Sequence, residues 1–455
     1  MTEKEVTLQD PYVLSDENIA NPPVTLGGKL RQLGPGFILS AAIVGSGELI
    51  ATTTLGARAG FVTFWVILVS CLVKVAIQLE FGKHAIHSGE TVMAAFNQLP
   101  GKKLGRAHWT IWTWLFLMSF KLLQVGGIVG GVALVLRSAF PELSIVLLAF
   151  AVATVVALMT FHGYYRFVEG MSLTMIGLFT LFTLACLIFL QYTPYAVQWE
   201  EVASGLSFDL PAATVGVAIG AFGITGVGGD EIIYYNYWCI EKGYAAKTGL
   251  RRDDPDWVAR SKGWIRVMYL DALLSMLVYT LVTAAFYLLG AAILHRNGVM
   301  PEGNETIEVL SAIYTESFGP WARSFFLVGA FIVLFSTLFA ALASWIRVFT
   351  DAFGHIGWID FADQQQRRKT MAILAWFFPF AWALTFLLIK LPVFMVLTGG
   401  VIGSVILFLV VYVAIHFRYS RLPAELKPHW WYDLALWISA AAILMVGIYG
   451  IWRIW

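Results

Sequence analysis

Long apolar runs separated by short polar stretches dominate the chain. The runs consist of Leu, Val, Ile, Phe and Ala with scattered Gly, and within a few residues they cover 34–58, 61–82, 109–136, 143–161, 167–192, 213–239, 267–294, 324–347, 370–389, 391–417 and 432–453. About 20 consecutive apolar residues cross a bilayer as a helix. Membrane β-strands instead alternate over only about ten residues, which excludes a barrel. The pattern predicts an all-α integral membrane protein with about eleven spans.

Composition agrees with this class and excludes others. Of the 455 residues, 59% are hydrophobic and only 13% are charged, whereas soluble domains carry about 25% charged residues. The net charge of +1 excludes a nucleic-acid partner, and three cysteines are too few for a disulfide scaffold. The lipid bilayer is therefore the expected partner, and the oligomeric state is left open.

Lysine and arginine predict the orientation. With the N-terminus placed inside, 22 of the 30 Lys and Arg residues fall on inside segments and six on outside segments. Positive charge concentrates on the cytoplasmic side of membrane proteins. We therefore expect a multi-pass protein of the bacterial inner membrane with a cytoplasmic N-terminus and an external C-terminus.

Two apolar runs share a glycine-containing string. Residues 44–50 read Val-Gly-Ser-Gly-Glu-Leu-Ile and residues 227–233 read Val-Gly-Gly-Asp-Glu-Ile-Ile, a gapless match at an offset of 183 residues. Each string interrupts its span near the middle and places a glutamate just after the break. Paired discontinuous helices are typical of transporters built from inverted repeats, where irregular backbone surrounds a site near the midplane.

A five-plus-five inverted repeat follows from these positions in spans one and six. We expect a cytoplasmic tail over residues 1–33, a first repeat over 34–205, an inverted second repeat over 206–417, and a loop with an extra helix over 418–455. Carbonyls at one half-helix end and the positive end of the other would together form an ion site.

Three short motifs resemble the Nramp family of divalent-metal transporters. Residues 34–37 (Gly-Pro-Gly-Phe) open span one, residues 56–61 (Gly-Ala-Arg-Ala-Gly-Phe) fit the turn into span two, and residues 166–169 (Arg-Phe-Val-Glu) fit the start of span five. The resemblance extends over most of spans one to ten. It implies the LeuT-type fold, with helices 1 and 6 broken.

The chain departs from that family at both breaks. Nramp proteins carry Asp-Pro-Gly-Asn in span one and Met-Pro-His in span six, whereas this chain has Gly-Ser-Gly-Glu at 45–48 and Gly-Gly-Asp-Glu at 228–231. The soft methionine sulfur is replaced by glycine. The resemblance therefore implies a divergent branch, similar to Nramp-related transporters that handle magnesium.

The candidate site residues cluster at the two breaks. A carboxylate at bilayer depth costs several kcal/mol unless it is paired or hydrated, so Glu48 and Glu231 are the expected metal ligands. The remaining candidates are Asp230, Gly45, Gly228, Ser46 and Thr225 for cation binding, Gly47 and Gly229 for breaking the helices, and Lys74 and Lys121 as counter-charges. Two roles are open for Lys74. Its ammonium either pairs with Glu80 or a site glutamate, or takes the place of a coupling ion.

These features predict a secondary transporter of a divalent cation of the magnesium or manganese class, working by alternating access. No cofactor is expected besides the transported ion. The chain has no soluble domain, phosphate loop or nucleophile–histidine arrangement, so no enzyme is expected. One alternative is a carrier of the same fold for an organic solute such as an amine or amino acid. A channel or a non-transporting sensor is the other. The broken helices favour a carrier over a channel, and a sensor would be expected to carry a larger soluble domain.

Overall fold

The protein is an almost entirely helical molecule, described here by a computed structural model covering residues 10–161, 165–252 and 254–454. One small hairpin pairs Lys103–Leu104 (β1) with Ala107–His108 (β2). The α-helices are α1 (Leu26–Arg31), α2 (Pro35–Ile43), α3 (Thr53–Ala59), α4 (Phe64–Ser88), α5 (Val92–Phe96), α6 (Trp109–Ala139), α7 (Ile145–Phe161), α8 (Tyr165–Leu190), α9 (Trp199–Ser204), α10 (Val215–Ile224), α11 (Gly229–Glu241), α12 (Tyr244–Thr248), α13 (Pro255–Leu289), α14 (Thr306–Phe318), α15 (Ala322–Ile356), α16 (Gln364–Ile389), α17 (Pro392–His416) and α18 (Trp430–Ile454).

Short irregular helices complete the chain. Three π-helical segments extend or join α-helices, at Val44–Thr52, Gly290–His295 and Phe417–Arg421. Four 3₁₀ turns lie at Asp16–Asn18, Ala212–Thr214, Gly303–Glu305 and Ala424–Leu426.

Eight helical stretches in the described residues are long and apolar enough to cross a membrane. Two shorter apolar helices, Ile145–Phe161 and Gly177–Leu190, accompany them. The apolar windows of α16 and α18 are only 39% and 28% buried, which places these two helices at the periphery, where apolar side chains can face lipid. The membrane class is confirmed, and the count of eleven spans stays a prediction.

Span six is interrupted as the sequence predicts. Helix α10 ends at Ile224, Thr225 is extended with ψ 137°, and Gly226 has φ +65°. Gly228 then forms the N-cap of α11. A positive φ suits glycine because it has no Cβ. The interruption leaves one helix end of each polarity inside the molecule.

Span one corrects the prediction of a break at residues 45–47. The backbone stays helical from α2 through the π-helical segment into α3, without an unwound stretch. The hydroxyls of Thr52 and Thr53 donate to the carbonyls of Gly47 (3.0 Å) and Glu48 (3.2 Å). π-helical turns inside α-helices occur frequently at functional sites. The carbonyls of Gly47 and Glu48 therefore already accept hydrogen bonds from side chains of the same segment.

Small residues set the close helix contacts around the span-six break. A Cβ at Gly223 would lie 1.8 Å from the carbonyl oxygen of Gly400, and a Cβ at Gly220 would lie 2.7 Å from that of Leu397. Contacts of this kind let membrane helices approach backbone to backbone. Helix α10 is thereby fixed against α17.

An N-terminal segment, residues 10–24, crosses the end of the molecule where α11 terminates. The carboxylate of Asp10 pairs with Arg367 of α16 at 2.6 Å. The hydroxyl of Tyr12 donates to Glu241, the last residue of α11, also at 2.6 Å. The segment therefore links α11 to the neighbouring α16.

Candidate functional site

A small cavity of about 30 Å³ lies between α2, α6, α11 and α15. This volume holds roughly two water molecules. Its apolar walls include Ile38, Val125 and Trp345, and its polar lining consists of Gln124, Asp230, Glu231, Tyr234, Thr337 and Ser344. The cavity therefore collects oxygen groups from three helices, α6, α11 and α15, and α2 adds an apolar wall.

Asp230 is held by an ion pair inside this lining. Its carboxylate lies 3.0 Å from the ammonium of Lys121, and the hydroxyl of Tyr234 donates to it at 3.3 Å. Lys121 also donates to the side-chain oxygen of Gln124 at 2.5 Å. Lys121 and Asp230 are both buried, and removing either partner of a buried pair leaves an expensive lone charge. Lys121 thus provides the counter-charge expected of it, and its partner is Asp230.

Glu231 lines the same cavity with a carboxylate turned back towards the N-cap of α11. A Cβ on Gly228 would lie 2.0 Å from its Oε2 atom. That oxygen is buried and has no hydrogen-bond partner among the described residues. The positive end of α11 favours negative charge here. Glycine at 228 therefore gives the carboxylate its space.

Glu48 is buried outside the cavity lining. Its Oε1 accepts hydrogen bonds from the hydroxyl of Thr283 in α13 at 2.7 Å and from the backbone N–H of Gly226 at 3.4 Å. Its Oε2 has no hydrogen-bond partner within the described part of the chain. Of the two glutamates, only Glu231 lines the cavity. Glu48 therefore joins spans one, six and seven.

Lys74 corrects the expectation of a pairing with a carboxylate. Its ammonium donates to the backbone carbonyl of Phe222 and, at 2.8 Å, to that of Thr225. Glu80 instead pairs with Lys83 at 2.5 Å. The carbonyls freed by the span-six break are thus occupied by a side chain of this protein, although they were expected to contact the transported ion.

The remaining candidates serve mainly to bring helices together. The hydroxyl of Thr225 lies 3.2 Å from that of Thr52. A Cβ at Gly45 would lie 2.0 Å from Thr337 Oγ1, and one at Gly47 would lie 3.0 Å from the Ile224 carbonyl oxygen.

The last two candidates are Gly229 and Ser46. Gly229 is the first residue of α11, and a Cβ there would meet Ile406 at 2.9 Å and the Leu407 nitrogen at 3.0 Å. It packs a helix start and does not form the break. The side chain of Ser46 lies outside the described residues.

Sequence reasoning missed several contributors to the site. Tyr234 and Trp238 were not among the candidate site residues, yet both are buried and line the cavity. Helical spacing offered a signal, since these residues follow Asp230 by four and eight positions and share its face. Thr283 and Ser70, which contact Glu48 and the freed carbonyls, gave no comparable signal because Ser and Thr are common in membrane helices.

Among the described residues, no group of three or more His, Cys, Asp or Glu side chains is arranged to hold a metal ion. A cation bound at Asp230 and Glu231 would complete its coordination with hydroxyls, amide oxygen or water. Magnesium in particular binds through one or two carboxylates and keeps several waters. The pair of carboxylates is compatible with a partly hydrated hard cation.

The chain is similar to known proteins over most of its length. The family model described as "Natural resistance-associated macrophage protein-like" matches residues 36–453. The divalent metal cation transporter MntH of Bacillus subtilis is 25% identical over 309 residues, which are 66% of this chain and 67% of the relative. An uncharacterised protein of Pasteurella multocida, PM0681, is 24% identical over 71% of this chain and 70% of its own length.

Solved structures share the fold. The Eremococcus coleocola manganese transporter superposes with a TM-score of 0.64 at 16% identity, covering 96% of this chain and 91% of that one. Mhp1, a nucleobase-cation-symport-1 family transporter in a closed conformation with bromovinylhydantoin bound, gives a TM-score of 0.56 at 15% identity and covers 95% of each chain. These likenesses confirm the LeuT-type fold, and the family match over residues 36–453 shows that the chain belongs to the Nramp family.

Proposed function

We propose that the protein carries a divalent cation of the magnesium or manganese class across the plasma membrane by alternating access. The observation that carries this proposal is the adjacent pair Asp230 and Glu231, two carboxylates at the start of a half-helix that line a buried central cavity. Ionisable groups at membrane depth mark ion pathways. Relatives named as divalent metal cation transporters support the same class of cargo.

The chemistry of the lining favours a hard cation. Carboxylate, hydroxyl and amide oxygens line the cavity, and no sulfur side chain occurs among its described lining residues. Oxygen ligands suit magnesium and manganese, whereas thioether and thiolate ligands select softer metals. Magnesium should therefore compete with manganese.

Lys121 takes a direct part in the binding of the cation. The Lys121 ammonium lies 3.0 Å from the Asp230 carboxylate and neutralises it. A divalent cation between Asp230 and Glu231 repels that ammonium, which keeps Gln124 as an acceptor. Lys121 thereby acts as a built-in counter-ion that the cargo displaces. It also prevents two lone carboxylates from facing each other in the empty site.

A second candidate cargo is an organic amine. The specific observation is that the site already holds an alkylammonium group, since Lys121 lies within 3.0 Å of Asp230. A free amine of similar chemistry could take that position. The cavity of about 30 Å³ would have to enlarge for such a solute, which makes the cation the better fit.

The membrane placement follows from the charge distribution. The N-terminus lies in the cytoplasm and the C-terminus outside, because the inside segments carry most of the Lys and Arg residues. Bacterial relatives favour the inner membrane.

Uptake into proteoliposomes tests the cargo. Purified protein should take up manganese, excess magnesium should inhibit that uptake, and calcium and methylammonium should be compared in parallel. Glu231→Gln removes one charge from the cavity and should lower divalent uptake by about tenfold or more, a loss worth roughly 1.4 kcal/mol. Glu308→Gln, at a half-exposed ion pair with Arg323 outside the cavity, is the matched control and should transport normally.

Two results would decide against the cation. One is uptake of methylammonium that divalent ions do not inhibit, which would favour the amine carrier. The other is a folded Glu231→Gln protein that moves manganese at the normal rate, which would remove the cavity from the pathway.

A further inference from the structure

The carbonyl end of α10 forms a compact cluster with two side chains of α4. The carbonyl of Phe222 in α10 and that of Thr225 just after it both lie within hydrogen-bond distance of the Ser70 hydroxyl, at 3.0 and 2.8 Å. Both also accept from the ammonium of Lys74. Carbonyls at a helix end lack partners within the helix and carry partial negative charge. The cluster is therefore an oxygen-lined site with a cation already in it.

Two backbone carbonyls and an aromatic ring surround the ammonium of Lys74. Its side chain is fully buried, and it forms no ion pair with a carboxylate of the described residues. The face of the Phe222 ring lies 4.8 Å from the ammonium and adds a cation–π contact. A lone ammonium at this depth is costly, so the two carbonyls and the ring are what make this position tolerable.

Freed carbonyls at half-helix C-terminal ends are the groups that bind small cations in transporters with broken helices. We propose that Phe222, Thr225 and Ser70 form a monovalent-cation site in which the Lys74 ammonium is a tethered occupant. The tether holds span two against the break of span six. It also frees the protein from any need for a dissolved monovalent ion at this position.

This inference does not depend on which cargo the protein carries. None of the groups in the cluster lines the central cavity, and the site can be tested without any transported substrate. A result against the cation proposal would therefore leave this one standing, and the reverse also holds.

Two substitutions at position 74 separate a cation site from simple packing. Lys74→Ser removes the ammonium and leaves room for a free ion, with a hydroxyl as a further ligand. Lys74→Met is the matched control, because it fills the space with an apolar chain of similar length. Thermal unfolding of the purified proteins is measured in ammonium chloride, potassium chloride and N-methylglucamine chloride at equal ionic strength.

The tethered-cation proposal predicts a shift in one variant alone. Lys74→Ser should melt about 2–4 °C higher in ammonium or potassium than in N-methylglucamine, because a ligand that binds only the folded state stabilises it. The unmodified protein and Lys74→Met should melt at the same temperature in all three salts. Recovery of folded Lys74→Ser only in ammonium or potassium would support the proposal equally.

Three outcomes would overturn it. The first is a Lys74→Ser protein whose melting temperature is the same in all three salts. In the second, Lys74→Met shows the same salt dependence as Lys74→Ser. The third is a Lys74→Ser protein that folds in none of these salts, since an open oxygen site should accept a dissolved cation.

Discussion

Single residues at the start of α11 set the chemistry of the central cavity. Asp230 and Glu231 are adjacent, yet the first is paired with Lys121 and the second has an oxygen without a partner among the described residues. About 100° separates neighbouring side chains on a helix, which explains why their surroundings differ. The carboxylate of Glu231 is thus the one available to a ligand without breaking an ion pair.

Gly228→Ala should impair transport with little loss of stability. Its Cβ would lie 2.0 Å from Glu231 Oε2, and the flexible end of a glutamate moves at small cost. We expect the carboxylate to leave its place and uptake to fall about tenfold, while the melting temperature changes little.

Substitution of the neighbouring Gly229 should instead lower stability. Gly229→Ala places a Cβ 3.0 Å from the backbone nitrogen of Leu407, which cannot move as easily, so stability should fall. Uptake assays and thermal unfolding measured on both variants check this contrast. Equal loss of stability in both would show that Gly228 has only a packing role.

At the scale of elements, the two broken-helix positions behave differently. The π-helical segment Val44–Thr52 keeps span one continuous, and its Thr hydroxyls satisfy the backbone. In span six the chain unwinds after Ile224, and side chains of span two occupy the freed carbonyls. Span one therefore changes its helix type locally. Span six is interrupted, and side chains of span two donate to the carbonyls that the interruption frees.

Gly226→Ala should destabilise the span-six break. The residue has φ +65°, and a Cβ there would lie 3.0 Å from the Cα of Cys71. A left-handed conformation costs a non-glycine residue about 1–2 kcal/mol, so the melting temperature should fall by several degrees.

A glycine inside α10, Gly216, controls for the substitution itself. Gly216 lies within the helix, and a Cβ at this position would meet no described atom within 4 Å. Gly216→Ala should be neutral or stabilising by about 0.5–1 kcal/mol, because alanine restricts the unfolded chain. Thermal unfolding compares the two, and an equally stable Gly226→Ala protein would contradict the strained geometry.

For the whole molecule, the N-terminal segment closes one end of the helix assembly. Glu241 at the end of α11 accepts from Tyr12 and also pairs with Arg347 of α15, at 2.6 Å in both cases. Separation of α11 from α15 at this end would have to break these contacts. The segment therefore stabilises the closed arrangement of that end.

Glu241→Gln should loosen this segment. The change removes the charge that Arg347 and Tyr12 share, so a protease should cleave within residues 10–24 several times faster. Asp16→Asn is the control, since Asp16 pairs with Arg252 at an exposed site where both side chains are more than half accessible. Exposed pairs contribute only about 0–1 kcal/mol. Cleavage rates that are equal for the two variants would contradict the role of Glu241.

The sequence alone determined the membrane class, the family resemblance and the interruption of span six, because apolar run length and glycine placement act locally along the chain. Asp230 and Glu231 were both among the candidates from the sequence, but Glu48, which was expected to be a metal ligand, lies outside the cavity lining. The tertiary structure decided which charges meet. The Lys74 ammonium donates to the carbonyl of Phe222, 148 residues away, and the Glu48 carboxylate accepts from Thr283, 235 residues away. Such pairings depend on the rotation of each packed helix about its axis, and nothing in the local sequence of a uniformly apolar span fixes that rotation.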